Sequence, residues 1–267
     1  MRRQTRLIVA AAGLGLFFSA GRAAAQSANF NPRDLTGLWS VTSRPGASRV
    51  IHNNRPAFTE LGQQMWSRNF SSFPTPLAYQ GGGFDVEKMN DPVDYCDPMG
   101  YPRVMWEPQS DLMRFVQTDQ VLVQMFEWHR NWRDIWLDGR KLPENPERRF
   151  YGYATAHWEG NTLVVESNGF NDRAWLDPYG SPRSEQFTMV ERFTRAGPDK
   201  MEWTLVATDP LVYTRPWASE VMTLERVPKP PRSQYEELRE DMCVWSDIDA
   251  YFRNTYGENR PLPSRPR

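Results

Sequence analysis

RFYGYATAHWEGNTLVVESN, residues Arg149 to Asn168, is the stretch that predicts the fold. It divides into two strands, 149–158 and 162–168, because β-branched and aromatic residues alternate with polar ones on both sides of the turn Glu159-Gly160-Asn161. A tight turn between two such runs joins antiparallel neighbours. The stretch therefore predicts a β-hairpin within a mainly β protein.

The flanking sequence repeats this pattern of short strands and tight turns. Outward from the hairpin, strands are predicted at 34–41, 112–117, 120–128, 131–137, 186–195, 200–208 and 217–226. From Leu112 to Arg226 no helical pattern separates them, which favours an antiparallel meander closed as an up-and-down barrel of about 8–10 strands. The interior of such a barrel has room for one small ligand.

The N-terminus has the pattern of a secretory signal peptide. A basic start precedes an apolar run and the small residues Ala23, Ala24 and Ala25, so cleavage is expected after Ala25 and residues 1–25 are removed. No later stretch is long and apolar enough to span a membrane. We therefore expect a periplasmic or secreted protein.

Three further segments complete the predicted organisation. The barrel domain spans 26–232 and carries a long insertion at about 44–110, expected to pack on the barrel as a lid and to contain a helix over 57–69. A C-terminal helix over 233–256, begun by a Ser-x-x-Glu capping box, packs on the barrel, and 257–267 form a flexible tail.

Cys96 and Cys243 are the two cysteines of the chain. In an oxidising compartment they are expected to form a disulfide, with the second cysteine carried by the C-terminal helix. A bridge over so long a loop stabilises a protein by about 5 kcal/mol on the chain-entropy model. The alternative is a pair of buried free thiols.

The charge balance argues against nucleic acid and anionic membrane surfaces as partners. The signal peptide holds four of the 32 basic residues and no acidic one, which leaves the mature chain with 28 basic against 33 acidic residues and a net charge of −5. The sequence makes no prediction of oligomeric state.

Glu127 and His129 are the first candidates for acid–base chemistry. They continue a strand face that begins with Val121, Val123 and Met125, so a carboxylate and an imidazole stand side by side. If this face lines the interior, the pair can transfer protons. If it lies at the barrel rim, solvent satisfies both groups.

Asp134 is the third catalytic candidate. It lies between Trp132 and Trp136 on one strand face, while Arg133 lies on the other. If the tryptophans face the interior, desolvation favours a general acid or base role for Asp134. If they face outward, Asp134 is a strand acid paired with a neighbouring arginine.

A second set of residues is predicted to contact the ligand. The aromatic walls are Trp132, Trp136, Tyr153 and Tyr213. Arg133 and Asn171 are the groups expected to bind an anion or carbonyl, and Glu166 is a carboxylate in an otherwise apolar strand. The three histidines lack zinc-site spacing, and glycine-rich phosphate loops and a Gly-x-Ser-x-Gly motif are missing. No metal and no cofactor are therefore expected.

Long ordered motifs between Cys96 and Trp217 carry a resemblance. They are CDPMGYPR (96–103), RDIWLDGR (133–140), YGYATAHWEGNTLVVESNGFNDRAWLD (151–177), SEQFTMVERF (184–193) and DPLVYTRPW (209–217). With Gly37-Leu38-Trp39, which looks like the Gly-x-Trp opening of lipocalin barrels, they resemble a widespread family of exported bacterial lipocalin-like, or calycin-like, proteins. The resemblance implies a barrel whose tryptophan plugs the closed end, and it brings no catalytic assignment. Ala154 and Ala156 depart from the small polar residue and glycine expected there.

Together these features predict an exported barrel that binds a small apolar or aromatic molecule. Acid and base groups in a desolvated interior suit cofactor-independent elimination, isomerisation or cyclisation, the chemistry of a lyase or isomerase. The alternative is a non-catalytic periplasmic carrier of a hydrophobic ligand. An interaction module would instead need a contiguous exposed aromatic patch.

Overall fold

The computed structural model describes residues 30–43, 55–71, 89–106, 112–228 and 237–256. The predicted signal peptide, the glycine tract of the insertion, the capping box Ser233/Glu236 and the tail 257–267 lie outside the described residues. The described strands are β1 (Gly37–Ser43), β2 (Leu112–Gln117), β3 (Val121–Phe126), β4 (Trp132–Trp136), β5 (Tyr153–Glu159), β6 (Thr162–Asn168), β7 (Thr188–Gly197), β8 (Lys200–Thr208), β9 (Trp217–Ala218) and β10 (Met222–Arg226). The helices are α1 (Glu60–Trp66) and α2 (Trp245–Tyr256), with short 3₁₀ turns at Pro92–Tyr95, Arg103–Met105 and Trp128–Arg130.

The sheet closes on itself as a barrel. Strands β1 to β8 pair in sequence order, and β10 pairs with β1 on one side and with β8 on the other, which closes nine strands. The two-residue strand β9 adds to β8 outside this ring. The predicted mainly β barrel is confirmed, and the last predicted strand is divided into β9 and β10.

One strand pair departs from the predicted antiparallel meander. β4 and β5 run parallel, and their pairing is short: Ile135 lies opposite Ala154 and Trp136 opposite Thr155. A parallel pair needs a crossover connection, which residues 137–152 supply. Gly152 ends this connection with a φ of 63°, where an added Cβ would lie 2.6 Å from the Asn168 carbonyl oxygen. The predicted strand 149–158 therefore begins later, at Tyr153.

The barrel has a closed end around Trp39. The Arg195 and Arg226 guanidinium carbons lie 4.9 and 4.6 Å from the centre of the Trp39 ring, and its indole nitrogen donates to the Leu35 carbonyl oxygen at 2.9 Å. Burial, together with the charge of Arg226, lowers the pKa of Arg195 to about 10. The tryptophan is fully buried, and the turns of the β5–β6 and β7–β8 hairpins lie at this end. The opposite end, where β3, β6 and β8 finish, is called the loop end.

Residues 99–106, which we call the plug, belong to the predicted insertion and form part of the barrel core. The Tyr101, Val104 and Met105 side chains are fully buried among barrel residues, and the Trp106 ring lies 5.5 Å from that of Trp203 on β8. The insertion therefore supplies core side chains, whereas the sequence predicts a lid on the outside. Its predicted helix is present as α1, shortened to Glu60–Trp66 and capped by the Thr59 hydroxyl.

The C-terminal helix begins later than predicted. α2 starts at Trp245, and residues 237–244 form no helix, so Cys243 precedes the helix instead of lying on it. The reason is tertiary: the Cys96–Cys243 disulfide and the contact of Arg239 with Glu127 hold this segment against the barrel. The Trp245 ring stacks on that of Tyr95 at 5.8 Å. Residues 237–256 are called the C-terminal strap below.

The predicted disulfide is confirmed, and it suits an oxidising compartment. It joins the strap to the segment that leads into the plug. No helix among the described residues is long and apolar enough to cross a membrane.

Removing the disulfide is expected to lower stability without opening the barrel. A Cys96→Ala/Cys243→Ala variant should lose about 3–5 kcal/mol of unfolding free energy, because the unfolded chain regains the entropy of a long loop. Urea unfolding followed by tryptophan fluorescence measures the loss. Reductant should shift the wild-type curve in the same direction and leave the variant unchanged; coincident curves for the two proteins would contradict the prediction.

Candidate functional site

A buried ion pair occupies the barrel interior. The Arg133 guanidinium on β4 donates to the two carboxylate oxygens of Glu191 on β7, at 2.8 and 3.0 Å. The Trp203 indole nitrogen donates to the same carboxylate at 2.8 Å, and so does the Tyr101 hydroxyl of the plug. The Arg133 and Glu191 side chains are 2% and 0% exposed, so four hydrogen bonds satisfy a carboxylate that water does not reach.

Strand alternation places this pair inside. Phe187, Met189, Glu191 and Phe193 are all buried, which puts a carboxylate on the inner face near the start of β7. Arg133 and Ile135 are the buried positions of β4. Their neighbour on β5 is Ala154, and the next residue around the barrel is Ser167. Because these side chains are small, the Arg133 side chain reaches across two strands to Glu191.

The plug and β3 hold the arginine in place. The Arg133 guanidinium carbon lies 3.5 Å from the centre of the Tyr101 ring, a cation–π contact. Its Nε donates to the Gln124 side-chain oxygen at 2.9 Å. Burial, the largest single influence, would lower the pKa of Arg133, but the charge and hydrogen bonds of Glu191 together with the influence of Tyr101 and Tyr151 raise it. Burial raises the pKa of Tyr101 well above its ordinary value, so its hydroxyl keeps its proton.

Next to this pair lie hydroxyl groups that have no partner among the described residues. The Tyr151 hydroxyl oxygen and the Ser167 hydroxyl oxygen are buried and make no hydrogen bond. The Tyr151 ring stacks at 5.8 Å on Phe126, which in turn lies 5.9 Å from the Tyr101 ring. A buried unsatisfied hydroxyl costs about 1–3 kcal/mol. Such a cost at the loop end of a barrel marks a place where a ligand can supply the missing acceptor.

The hydrogen-bond ladder of the barrel is interrupted beside these hydroxyls. The parallel pairing of β4 and β5 ends at Ile135 and Ala154. Continued toward the loop end, the same register would place Arg133 opposite Gly152, where the two strands are not paired. We call this interruption the β4–β5 gap. The Phe170 ring lies beside it, 2.8 Å from where a Cβ of Gly152 would stand. Trp132, which is 61% exposed, stands at its outer edge.

Arg183 is a second buried cation at the same end. It is 0% exposed, and its three nitrogens donate to the carbonyl oxygens of Asn171 at 2.9 Å, Phe150 at 3.2 Å and Tyr101. Among the described residues no carboxylate forms an ion pair with it. Burial lowers the pKa of Arg183 to about 10. It therefore stays charged at neutral pH and ties the plug to the chain on either side of β5 and β6.

The structure places Asp134, Trp132 and Trp136 on the outer face of β4. Asp134 and Trp132 are exposed and Trp136 is half-buried, whereas Arg133 points inward. Of the two orientations that the sequence leaves open, the structure shows the outward one, so these three side chains do not line the interior. The reason is register: Arg133 pairs with the inward Gln124, and that fixes which face of β4 is buried. Of the predicted ligand contacts, Arg133 lies in the interior site.

Glu127 and His129 contact the C-terminal strap and do not line the interior. The strand face carrying Val121, Val123 and Met125 is the outer one. The Glu127 carboxylate accepts from the Arg239 side chain at 2.6 and 2.8 Å and from its backbone nitrogen at 3.2 Å. The backbone nitrogen of His129 donates to Asp241 at 3.4 Å. Burial lowers the pKa of His129, although Asp241 opposes this.

The remaining predicted contacts lie apart from the ion pair. Tyr153 is half-buried under Arg149, whose guanidinium carbon lies 4.3 Å from the ring centre. Glu166 is exposed on the outer face of β6. The Asn171 side chain accepts from the Arg173 backbone nitrogen at 3.2 Å, and the Tyr213 hydroxyl donates to the Pro182 carbonyl oxygen at 2.8 Å. These contacts hold loops at the loop end.

Sequence reasoning missed Glu191, Tyr101, Tyr151 and Ser167. One signal was available for Glu191, because SEQFTMVERF alternates large apolar residues with polar ones and sets the glutamate in phase with the apolar set. Tyr101 had no such signal, since its segment has no periodicity. The structure also shows no group of three or more metal-ligating side chains among the residues it describes.

The quoted motifs and the interior site coincide. Tyr101, Arg133, Tyr151, Ser167 and Glu191 each lie in one of the long motifs that carry the family resemblance. No family model, curated protein or solved structure matches the chain.

Breaking the interior pair from one side is expected to be costly. Glu191→Gln or Arg133→Met should each lower the unfolding free energy by about 3–5 kcal/mol, because one buried charge loses its partner. The double variant Arg133→Met/Glu191→Leu should lose much less than the sum of the single variants. Chemical denaturation measures all three. Glu159→Gln, which breaks the exposed pair with Arg192, is the control and should change the free energy by less than about 1 kcal/mol. Additive losses in the double variant would show that the charges act independently.

Acid is expected to loosen the strap through Glu127. Burial alone would raise the pKa of Glu127, but the hydrogen bonds and charge of Arg239 outweigh it and lower that pKa below the ordinary 4.5. The stabilisation is thus fully present above the unfolded-state value and is lost as the pH falls through the folded-state value. Below about pH 4.5 the melting temperature of the wild type should fall faster than that of Glu127→Gln. Parallel pH profiles for the two proteins would contradict this.

Proposed function

We propose that this protein is an exported, lipocalin-like barrel that binds a small, largely apolar or aromatic molecule at the loop end of its interior. The observation that carries the proposal is the buried, unpartnered Tyr151 hydroxyl beside the Arg133–Glu191 pair. A barrel fold and an interior rich in aromatic rings are consistent with such binding. The disulfide and the predicted signal peptide support export to the periplasm or beyond.

Different residues of the proposed site provide apolar contact, hydrogen bonds and structural support. Aromatic rings such as Phe126 provide apolar contact, and the Tyr151 and Ser167 hydroxyls provide hydrogen bonds that fix orientation. The Glu191 carboxylate already accepts four hydrogen bonds, so its contribution is to hold Arg133 and the plug in place. The β4–β5 gap, with Trp132 at its edge, is the proposed route by which an apolar molecule enters.

Cofactor-independent proton transfer is the second candidate function. Burial raises the pKa of Tyr151, so the phenol holds its proton, while Arg133 and Arg183 would stabilise the phenolate left after donation. The hydroxyl can give its proton to one atom of the ligand and recover a proton from another, which amounts to isomerisation with the proton count unchanged. This makes Tyr151 the catalytic candidate in place of Asp134.

A non-catalytic carrier would use the same site for binding alone. The two functions separate in deuterated buffer. A ligand that co-purifies with the protein should take up deuterium at carbon during incubation if Tyr151 exchanges protons with it, and mass spectrometry detects the added mass. Tyr151→Phe should abolish the uptake. A ligand returned unlabelled by the wild type would favour the carrier.

Tyr151→Phe is expected to weaken ligand binding without lowering stability. The solvatochromic probe prodan, a neutral naphthalene with one carbonyl acceptor, should bind the wild type, and the variant should bind it about three- to tenfold more weakly because one hydrogen bond is lost. Fluorescence titration measures the change.

Unfolding of the same variants separates a functional from a structural hydroxyl. The unfolding free energy of Tyr151→Phe should not fall, since its hydroxyl has no partner among the described residues. Tyr213→Phe loses the bond to Pro182 and should be destabilised by about 1 kcal/mol. Absence of prodan binding by the wild type, or a Tyr151→Phe variant less stable than Tyr213→Phe, would refute the proposal.

A further inference from the structure

We infer that the ligand of this site is an anion, an aromatic or apolar molecule whose carboxylate or equivalent oxyanion accepts from the Tyr151 hydroxyl between Arg133 and Arg183. The inference rests on the proposed function and names the ligand class of the same site. It follows from the buried Arg183, which has no ion-pair partner among the described residues, and from the unpartnered Tyr151 hydroxyl beside it.

Arg183 is a buried cation at the loop end with no ion-pair partner among the described residues. Arg133 and Glu191 form a neutral pair, whereas Arg183 has only backbone carbonyl oxygens as hydrogen-bond partners. Burial lowers the pKa of Arg183 to about 10, because the charges of Asp172 and Asp209 offset only part of the cost of burying it. Asp209 accepts from the Ser184 nitrogen and hydroxyl at 2.6 and 2.8 Å instead. An anionic ligand would offset the remaining cost.

Both arginines contact Tyr101. The guanidinium of Arg133 lies over the Tyr101 ring, and that of Arg183 binds the Tyr101 carbonyl oxygen. Arg183 also donates to the carbonyl oxygen of Phe150, the residue before Tyr151. The Tyr151 hydroxyl therefore lies in the positive potential of both cations. Their charges lower the pKa of Tyr151, although burial raises it by more.

The proton of Tyr151 must point toward an acceptor. The N–H groups of both arginines bond elsewhere, and the Tyr151 oxygen has no partner among the described residues. Because the charge nearby is positive, an acceptor for its O–H is the partner that this surrounding favours. A charged acceptor forms a hydrogen bond about twice as strong as a neutral one and interacts favourably with both arginines. A carboxylate meets both requirements, whereas an ester or ketone meets only the first.

Competition between a matched acid and ester tests the inference. Prodan bound to the wild type is displaced with naphthoate or with methyl naphthoate, which share the aromatic skeleton and the carbonyl and differ in charge. Naphthoate should compete at least about tenfold better. The preference should persist at about 0.5 M salt, because buried charges are screened much less than exposed ones.

Variants assign the preference to the site. Tyr151→Phe should weaken naphthoate by about tenfold and methyl naphthoate by about threefold or less, since a charge-assisted hydrogen bond is the stronger of the two. Tyr153→Phe, a half-buried tyrosine two residues away under Arg149, is the matched control and should change neither. Equal competition by acid and ester, or an acid preference that is undiminished in Tyr151→Phe, would overturn the inference while leaving the proposed function intact. Failure of prodan itself to bind would overturn both.

Discussion

The interaction between Arg133 and Glu191 is the constraint on which the interior depends. Neither charge is stable in a barrel core alone, so the fold must place both and satisfy their remaining hydrogen-bonding groups. It does so with five separate segments: β4 and β7 supply the charges, β3 supplies Gln124, β8 supplies Trp203, and the plug supplies Tyr101. A segment that looks like a surface insertion in the sequence is thus required inside the barrel.

This requirement explains why the plug is anchored so heavily. Arg183 binds the Tyr101 carbonyl oxygen, and the disulfide joins Cys96 to the strap. In addition, Arg103 of the plug donates two hydrogen bonds of 2.7 Å to Asp91, which precedes the plug. The strap in turn is held by Glu127 at the end of β3. Glu127 and Cys243, which sequence reasoning treats as separate features, therefore serve one purpose: they fix the position of the segment that completes the interior.

The sequence predicts the parts of this structure that depend on local patterns. Alternation and turns locate the strands from β2 to β8 closely, and the two cysteines of a chain with a predicted signal peptide predict their bond. Strand direction was harder, because the crossover from β4 to β5 follows an Asp-Gly turn that resembles an ordinary hairpin. Which face of β4 is buried is equally hard to predict from the sequence. WRDIW places two tryptophans and an aspartate on one face and Arg133 with Ile135 on the other. The face with the arginine is the inner one because of two distant partners, Gln124 in the register with β3 and Glu191 in the ion pair with β7. Hydrophobicity alone favours the wrong choice there.

The side chains around the Arg133–Glu191 pair also determine where the candidate site lies. A barrel of small side chains would leave a cavity, and one of large apolar side chains would be a plain core. This barrel sets the small residues Ala154 on β5 and Ser167 on β6 between the strands that carry Arg133 and Glu191, two charged groups that need room for hydrogen bonds. Because the long Arg133 side chain occupies the space over Ala154 without satisfying Tyr151 or Ser167, the two hydroxyls remain unpaired at the edge of an otherwise complete network. Replacing them with apolar groups would make the protein more stable. Their presence, near an arginine without an ion-pair partner among the described residues and beside the β4–β5 gap, is what the proposed binding site accounts for and the needs of the fold do not.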